Sequence, residues 1–388
     1  MNIKQFERKH KEDMPVLAIC YDFDKTLTPD DMQAQGYIQS VNCDVAEFWK
    51  ESNSLAEDND MDQNLAYMFM MSQKAKGKIV FTKKNLTDYG ADIHMYPGVE
   101  EWFERIREYG KSRNVIVEHY IISSGLKEMI EGTSVAKSGA FEKIYGSSFY
   151  YDEYGVAVWP AQVVNYTNKT QFLFRIEKGV LDINDPGVND YFPPEELRVP
   201  FRNMIYIGDS DTDVPCMKLV NSNGGHSIGV FNASTEDKAK VYKMMRDNRI
   251  KYFAASDYTD GSELDRLVKS IIDRTAANEA LENVHFKNKK ESADSDKKNS
   301  EEEKAKSDLI LALEFSGNFA NTHMLIGKLD KFDAFDDEQT EHLLEIAVKN
   351  SQVFCILKDP DMKQFYKKLL SGSKNVSDNA KKVKAEIE

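Results

Sequence analysis

The chain has 388 residues, of which 41% are hydrophobic, 11% aromatic and 30% charged, and its formal net charge is −14. This length suits two or three domains with sizeable apolar cores, and the acidic balance argues against a nucleic-acid binder, which needs clustered Lys and Arg. The sequence shows neither a secretory signal nor an apolar run of about 18 residues, so we expect a cytoplasmic protein without membrane contact.

Five apolar runs predict buried strands, and helix-like segments separate most of them. The runs are residues 15–21, 115–122, 204–207, 227–231 and 252–255. Near-continuous apolar strands that alternate with helices are typical of a parallel sheet covered on both faces. The pattern therefore predicts an α/β fold with a Rossmann-like, doubly wound sheet, whose ligands bind at the carboxyl ends of the strands.

The long connection between the first two strands predicts a small helical cap over residues 30–95. Its Met-rich stretch NLAYMFMMSQKAKGK is interpreted as cap core rather than as a ligand surface. Alternating residues around Asp152-Glu153-Tyr154-Gly155 predict a hairpin over 141–159.

The composition changes after residue 285, where we place the end of the first domain, residues 1–285. Residues 286–308 are dominated by charge and predict a linker. Apolar patterns return in residues 309–370 and predict a small accessory domain of about three helices. Residues 371–388 are predicted to be a flexible tail.

The first polar cluster, Asp22-Phe23-Asp24-Lys25-Thr26, follows the first strand. Two carboxylates two residues apart on an extended backbone point to the same side. One could attack phosphorus as a nucleophile, and the other could protonate the leaving oxygen. The alternative is a turn with capping carboxylates.

Two further clusters could hold phosphate. Ser123-Ser124-Gly125 lies between a strand and a helix-like segment, where a hydroxyl and free N–H groups form a natural phosphate cradle; the alternative is simple helix capping. Lys169 heads a predicted helix and could neutralise a phosphoryl oxygen, although by itself it would be read as a surface lysine.

The fourth cluster is Gly208-Asp209-Ser210-Asp211-Thr212-Asp213, again after an apolar strand. Carboxylates are hard oxygen ligands, so Asp209 and Asp213 could share Mg²⁺ with Asp22. A calcium loop is the alternative, but the following residues lack the distal glutamate that such a loop needs.

The ordered motifs DFDKT, IISSG, NKT and IYIGDSDTD together closely resemble the haloacid dehalogenase-type hydrolase superfamily, in its phosphoserine-phosphatase-like branch. The resemblance covers residues 16–275. It implies a hydrolase in which Asp22 is the nucleophile and Asp24 the general acid/base, acting on a phosphoric monoester. The residues that it implies for phosphate are Thr26, which also steadies the first loop, Ser123, Ser124 and Lys169. Those that it implies for Mg²⁺ are Asp22, the Asp24 carbonyl, Asp209 and, as a further ligand or a support, Asp213.

The sequence departs from this branch at Asp31, where serine phosphatases commonly carry a glutamate that reads the substrate's amine. Asp31 is therefore a candidate for substrate selection. The expected substrate is a small phosphorylated metabolite, whose identity the sequence does not predict. Two other functions stay open: a phosphotransferase or mutase, and a regulatory protein that acts through its C-terminal domain. That domain is also a candidate for binding a protein partner or for dimerisation.

Overall fold

A computed structural model, which describes residues 6–235, 237–295, 301–372 and 377–388, contains a seven-stranded sheet. Its strands are β1 (Val16–Tyr21), β2 (Ile116–Leu126), β3 (Lys143–Tyr151), β4 (Ala157–Gln162), β5 (Met204–Gly208), β6 (His226–Phe231) and β7 (Tyr252–Ala255). Across the sheet the order is β4-β3-β2-β1-β5-β6-β7, and all neighbours are parallel except β3 and β4. The five predicted strands and the predicted parallel sheet are confirmed.

Strand β1 lies at the centre of the sheet because every one of its side chains is apolar or aromatic and buried. Successive side chains of a strand point to opposite faces. Leu17, Ile19 and Tyr21 accordingly pack in the core on one face, whereas Ala18 and Cys20 pack in the core on the other. A strand buried on both faces needs helices on both sides of the sheet.

The helices around this sheet are α1 (Tyr37–Ser40), α2 (Val45–Asp58), α3 (Gln63–Ala75), α4 (Lys83–Gly90), α5 (Val99–Ser112), α6 (Lys127–Glu131), α7 (Ser134–Lys137), α8 (Thr170–Lys178), α9 (Val214–Ser222), α10 (Ala239–Arg246) and α11 (Glu263–Ser295). Helices α5 and α11 contribute to the core on one face, and α8, α9 and α10 to the core on the other. Helix α5 buries Val99, Trp102, Phe103 and Ile106, which recur at helical spacing. This arrangement confirms the doubly wound architecture.

The predicted cap is helical throughout its main segments. It consists of α1 to α4, preceded by a 3₁₀ turn at Met32–Ala34. Met68 and Met71 are fully buried, so the Met-rich stretch is mostly cap core, as predicted. The predicted hairpin is present as β3 and β4. The sequence did not predict that β3 also pairs with β2 in parallel, which extends the main sheet.

The chain divides into two compact units, of which the first comprises Met1–Asp190 with Glu196–Leu281 and the second Tyr191–Glu195 with Glu282–Glu388. Among the described residues of the second unit, six helices follow α11. They are α12 (Glu301–Glu314), α13 (Phe319–Leu329), α14 (Asp337–Lys349), α15 (Ser351–Cys355), α16 (Pro360–Gly372) and α17 (Asp378–Ile387). The second unit has its own apolar core, drawn from all six of these helices.

The C-terminal part of the chain differs from the sequence prediction in three ways. Residues 309–370, predicted to form about three helices, contain the end of α12, the whole of α13, α14 and α15, and most of α16. The stretch predicted as a linker is helical at 286–295, in α11, and at 301–308, in α12, while residues 296–300 lie outside the described residues. Glu, Lys and Ala, which dominate this stretch, are good helix formers despite their charge. The predicted tail contains helix α17, whose Ala380, Val383 and Ile387 are buried, so its described part is not a frayed end.

Within the described residues, no helix combines the length and the apolar character that a membrane crossing requires.

Candidate active site

The predicted site residues meet at one edge of the sheet. Asp22 directly follows β1, Ser123 lies near the end of β2, and Asp209 directly follows β5. These three strands are parallel neighbours, so their carboxyl ends, and the side chains at those ends, lie side by side. The chain brings Lys169 to the same place immediately before α8.

The loop after β1 carries the two carboxylates Asp22 and Asp24. Asp22 is 6% exposed. Asp24 accepts a hydrogen bond from the Met32 N–H at 2.8 Å, which ties its carboxylate to the entrance of the cap. Between Asp24 and Thr26, Lys25 has a left-handed backbone with φ of 58°, a conformation that costs a non-glycine residue about 1–3 kcal/mol. The fold therefore maintains a strained turn at this place.

Lys169 links the loop after β1 to the loop after β5. Its side chain is fully buried, and its Nζ donates to Asp213 Oδ1 at 2.8 Å and to Asp22 Oδ1 at 3.3 Å. Burial opposes the charge, but Asp213 and Asp22 outweigh it and raise the pKa of Lys169 above its ordinary value. The buried ammonium is thus held charged beside the Asp22 carboxylate.

Asp213 is completely buried, and hydrogen bonds occupy both of its oxygens. Oδ1 accepts from Tyr206 Oη at 2.9 Å in addition to Lys169, and Oδ2 accepts from the Ser210 N–H at 3.1 Å and Ser210 Oγ at 2.9 Å. A carboxylate has about four acceptor positions in total. The arrangement therefore makes Asp213 chiefly a support for Lys169 and for the loop at Ser210.

The donor set fits a hard divalent cation. One carboxylate oxygen each from Asp22, Asp209 and Asp213 lie within 4.8 Å of one another. Lys169 neutralises part of the charge of Asp22 and Asp213, and the remaining negative charge of the three carboxylates suits a divalent cation, because carboxylate oxygens are the ligands that Mg²⁺ prefers. Asp209 is also paired with Lys240, whose Nζ lies 3.3 Å from Asp209 Oδ2.

The pKa values of the site carboxyls reflect burial and mutual repulsion. Burial, followed by the nearby Asp213, raises the pKa of Asp22 to about 7, although Lys169 opposes this shift. Burial, followed by the charges of Asp31 and Asp22, raises the pKa of Asp24 well above its ordinary value. Burial raises the pKa of Asp209 to about 6, against the effect of Lys240. Shifts of this kind in a cleft are typical of catalytic carboxyls.

The three hydroxyl residues predicted to contact phosphate lie in different positions. Ser123 and Ser124 border the cavity beside Asp22 and Asp24. Ser123 Oγ accepts a hydrogen bond from the Gly125 N–H at 3.0 Å. Thr26 is fully buried and does not border this cavity. Its carbonyl accepts from Tyr258 Oη at 2.9 Å, which agrees with steadying the loop and not with touching phosphate.

The same cavity, of about 230 Å³, is bordered by residues that the sequence analysis did not identify. Gln33, Trp49, Asn64 and Tyr67 come from the cap, and Lys240 comes from α10. No local sequence signal marks these five, because they reach the cavity only through the packing of the cap and of α10. Asp31, the candidate selector, borders the cavity too, but its Oδ2 lies 2.7 Å from Lys25 Nζ in an ion pair.

The parallel α/β sheet, the inserted cap and the carboxylate cluster at the ends of β1 and β5 define a hydrolase-type α/β protein. Comparison of the sequence with family models agrees with this class. The haloacid dehalogenase-like hydrolase model matches residues 19–218, about half of the chain. The chain belongs to the haloacid dehalogenase-like hydrolase family.

Individual relatives are distant. An uncharacterized protein of Borreliella burgdorferi is 26% identical over 272 residues, which cover 64% of this chain and 94% of that protein. A solved haloacid dehalogenase family hydrolase from Salmonella enterica serovar Typhi is 17% identical with a TM-score of 0.44, covering 67% of this chain and 73% of its own. A probable phosphoserine phosphatase from Vibrio cholerae is 12% identical with a TM-score of 0.44, covering 69% of each chain.

Proposed function

We propose that this hydrolase is a magnesium-dependent phosphatase that cleaves a small phosphomonoester through an aspartyl-phosphate on Asp22. The observation that carries the proposal is the buried contact between Asp22 and the Lys169 ammonium. A fixed positive charge in a water-poor site lets a dianionic phosphate approach a carboxylate that would otherwise repel it. Asp24, two residues further along the same loop, supplies the second carboxyl that phosphoryl transfer needs.

In the first half of the reaction, an Asp22 carboxylate oxygen attacks phosphorus, and the bond from phosphorus to the alcohol oxygen breaks. Asp24 gives its proton to that oxygen, so the alcohol leaves neutral. The raised pKa of Asp24 supports this role, because a carboxyl must hold its proton near neutral pH to act as a general acid.

In the second half, the Asp24 carboxylate takes a proton from a water molecule, and the oxygen of that water attacks phosphorus. The bond between phosphorus and Asp22 breaks, inorganic phosphate leaves, and Asp22 is a carboxylate again. Asp24 ends the cycle protonated, as it began. One residue thus acts first as an acid and then as a base, as required when both halves pass through the same site.

Other residues hold the reacting groups in place. Ser123 and Ser124, at the cavity wall, would donate hydroxyl hydrogen bonds to phosphate oxygens. Asp22, Asp209 and the Asp24 backbone carbonyl would hold Mg²⁺, which when bound supplies positive charge next to the phosphate. Asp213 would act mainly by keeping Lys169 and the Ser210 loop in position, since its own oxygens are already hydrogen-bonded.

The proposal is tested by the hydrolysis of p-nitrophenyl phosphate by the full-length protein. We expect release of inorganic phosphate with Mg²⁺ and none after addition of a chelator. Asp22→Asn is expected to lower kcat at least about 1,000-fold, because removal of a nucleophile removes the chemical step. A phosphoprotein trapped by acid quenching should form with the wild-type protein and be absent from Asp22→Asn.

The matched control is Asp92→Asn, the same chemical change at an exposed position outside the cavity, and it should leave the rate unchanged. Full activity in Asp22→Asn would contradict the mechanism. Release of p-nitrophenol that requires an added alcohol, with the phosphoryl group recovered on that alcohol and not as inorganic phosphate, would instead indicate a phosphotransferase.

A further inference from the structure

The part of the catalytic cavity that faces the cap would receive the alcohol portion of the substrate. The phosphate must lie between Asp22 and Ser123 for the proposed reaction, so the rest of the substrate extends toward the cap residues that border the same cavity. These residues are Gln33, Trp49, Asn64 and Tyr67. Their chemistry therefore indicates which alcohols fit.

The two lysines at the cavity wall, Lys25 and Lys240, are already paired with carboxylates. Lys25 Nζ lies 2.7 Å from Asp31 Oδ2, and Lys240 Nζ lies 3.3 Å from Asp209 Oδ2. Among the described residues, no arginine borders the cavity. A carboxylate or a second phosphate on the alcohol would thus find no unpaired cation among the described residues of the wall. An amine would have to take Asp31 away from Lys25.

Except for Asp31, which is paired with Lys25, the residues that the cap contributes to the wall are uncharged. Gln33 is 2% exposed, and its side chain makes no hydrogen bond within the described part of the chain, so its amide is free to bind a ligand. Asn64 donates through Nδ2 to the Val164 carbonyl at 2.6 Å, which leaves its oxygen as an acceptor at the wall. Tyr67 donates to the Ser124 carbonyl at 2.8 Å. Trp49 adds an aromatic surface.

We propose, resting on the proposed phosphatase function, that the alcohol released is a small uncharged polyhydroxy compound of about the size of a sugar. Hydroxyl groups both donate and accept, so they can satisfy the amides of Gln33 and Asn64 together. A charge that loses water without gaining a partner is unfavourable, so this wall favours uncharged alcohols over anionic ones. The cavity of about 230 Å³ lies below the range of roughly 300–1,000 Å³ that is typical of drug-sized ligands, which favours a sugar or a shorter polyol over a nucleoside.

The test measures kcat/KM of the full-length protein with Mg²⁺ on phosphomonoesters of similar size. The esters of uncharged alcohols, called neutral esters here, are glycerol 1-phosphate, ribose 5-phosphate and glucose 6-phosphate. The esters whose alcohol portion carries a charge, called charged esters, are O-phosphoserine and 3-phosphoglycerate. We expect the best neutral ester to exceed both charged esters at least about tenfold, since each unpaired charge must be desolvated. Adenosine 5′-monophosphate tests the size limit and should be slower than the best sugar phosphate.

A substitution that adds a positive charge to the cavity wall provides the second measurement. Gln33→Lys places an unpaired ammonium at the wall, so the ratio of kcat/KM for 3-phosphoglycerate to that for the best neutral ester should rise at least about fivefold. The control is Asn53→Lys, which adds the same charge to an exposed position on α2, the helix that carries Trp49. It should leave the ratio unchanged.

The outcomes separate this inference from the proposed function. If p-nitrophenyl phosphate is hydrolysed but O-phosphoserine or 3-phosphoglycerate is the best of the esters, the inference is overturned and the phosphatase function stands. A nucleotide preferred over every sugar phosphate would overturn the size argument. If no ester is hydrolysed, including p-nitrophenyl phosphate, the proposed function itself fails.

Discussion

Two glycines of the site provide the room that its carboxylates occupy. A Cβ atom on Gly125 would lie 2.9 Å from Asp24 Oδ2 and 2.2 Å from Met32 Cε, and one on Gly208 would lie 2.6 Å from Asp213 Oδ2. Real Cβ atoms do not approach other heavy atoms this closely, so the neighbours would have to move. The glycines of IISSG and IYIGD are therefore needed for the placement of Asp24 and Asp213.

Gly125→Ala is expected to lower kcat for p-nitrophenyl phosphate about 10- to 100-fold, because the new methyl group displaces Asp24 and a shift of about 1 Å in a catalytic group has effects of this size. Steady-state kinetics measure the change in kcat, and circular dichroism verifies that the variant is folded. Gly317→Ala is the control, since no atom lies within 4 Å of the Cβ position there. An unchanged kcat in Gly125→Ala would mean that Asp24 tolerates displacement.

At the level of elements, helix α17 shows how packing stabilises a segment with a weak sequence signal. Ser377 Oγ accepts from the Ala380 N–H at 3.1 Å and caps the helix. Ala380, Val383 and Ile387 are buried at spacings of three and four residues, and Asn379 Nδ2 donates to Glu341 Oε1 of α14 at 2.8 Å. The short helix would be marginal by itself, so its order comes from the core of the second unit.

Val383→Ala is expected to lower the free energy of unfolding of the second unit by about 1–3 kcal/mol, because it deletes two methyl groups from a fully buried side chain. Urea denaturation followed by circular dichroism measures the change. Lys382→Ala, at the exposed neighbouring position, should have little effect. Equal stability of Val383→Ala and the wild-type protein would show that the C-terminal segment is frayed in solution.

At the level of the whole molecule, the proposed chemistry is confined to one compact unit. The residues proposed for catalysis, metal and phosphate all lie between Asp22 and Asp213, within the first unit, and the matched family model ends at residue 218. The second unit has a separate apolar core. Domains with their own cores can generally fold independently.

A protein ending at residue 285 is therefore expected to stay folded and to hydrolyse p-nitrophenyl phosphate with the kcat of the full-length protein. Thermal unfolding and steady-state kinetics measure both properties. The full-length protein carrying Asp22→Asn serves as the inactive reference. Aggregation or loss of activity in the shortened protein would show that the first unit depends on the residues that were removed.

The sequence by itself determined five strands of the parallel sheet and the four polar clusters of this protein. Runs such as 16–21 are apolar at every position because both faces of a central parallel strand are buried, so they can be read locally. Asp22, Ser123 and Asp209 are predictable for the same reason, since each lies at the end of such a run. The family resemblance through four ordered motifs then added their roles.

Only the tertiary structure decided the features that depend on contacts distant in sequence. The pairing of Lys240 with Asp209 and of Lys169 with Asp213 joins residues 31 and 44 positions apart and follows from side-chain geometry that no local pattern encodes. The same holds for the uncharged cap wall at Gln33 and for helix α17, because burial there depends on neighbouring elements. The chemistry at Asp22 was thus readable from short motifs, whereas the space around its substrate required the packed cap.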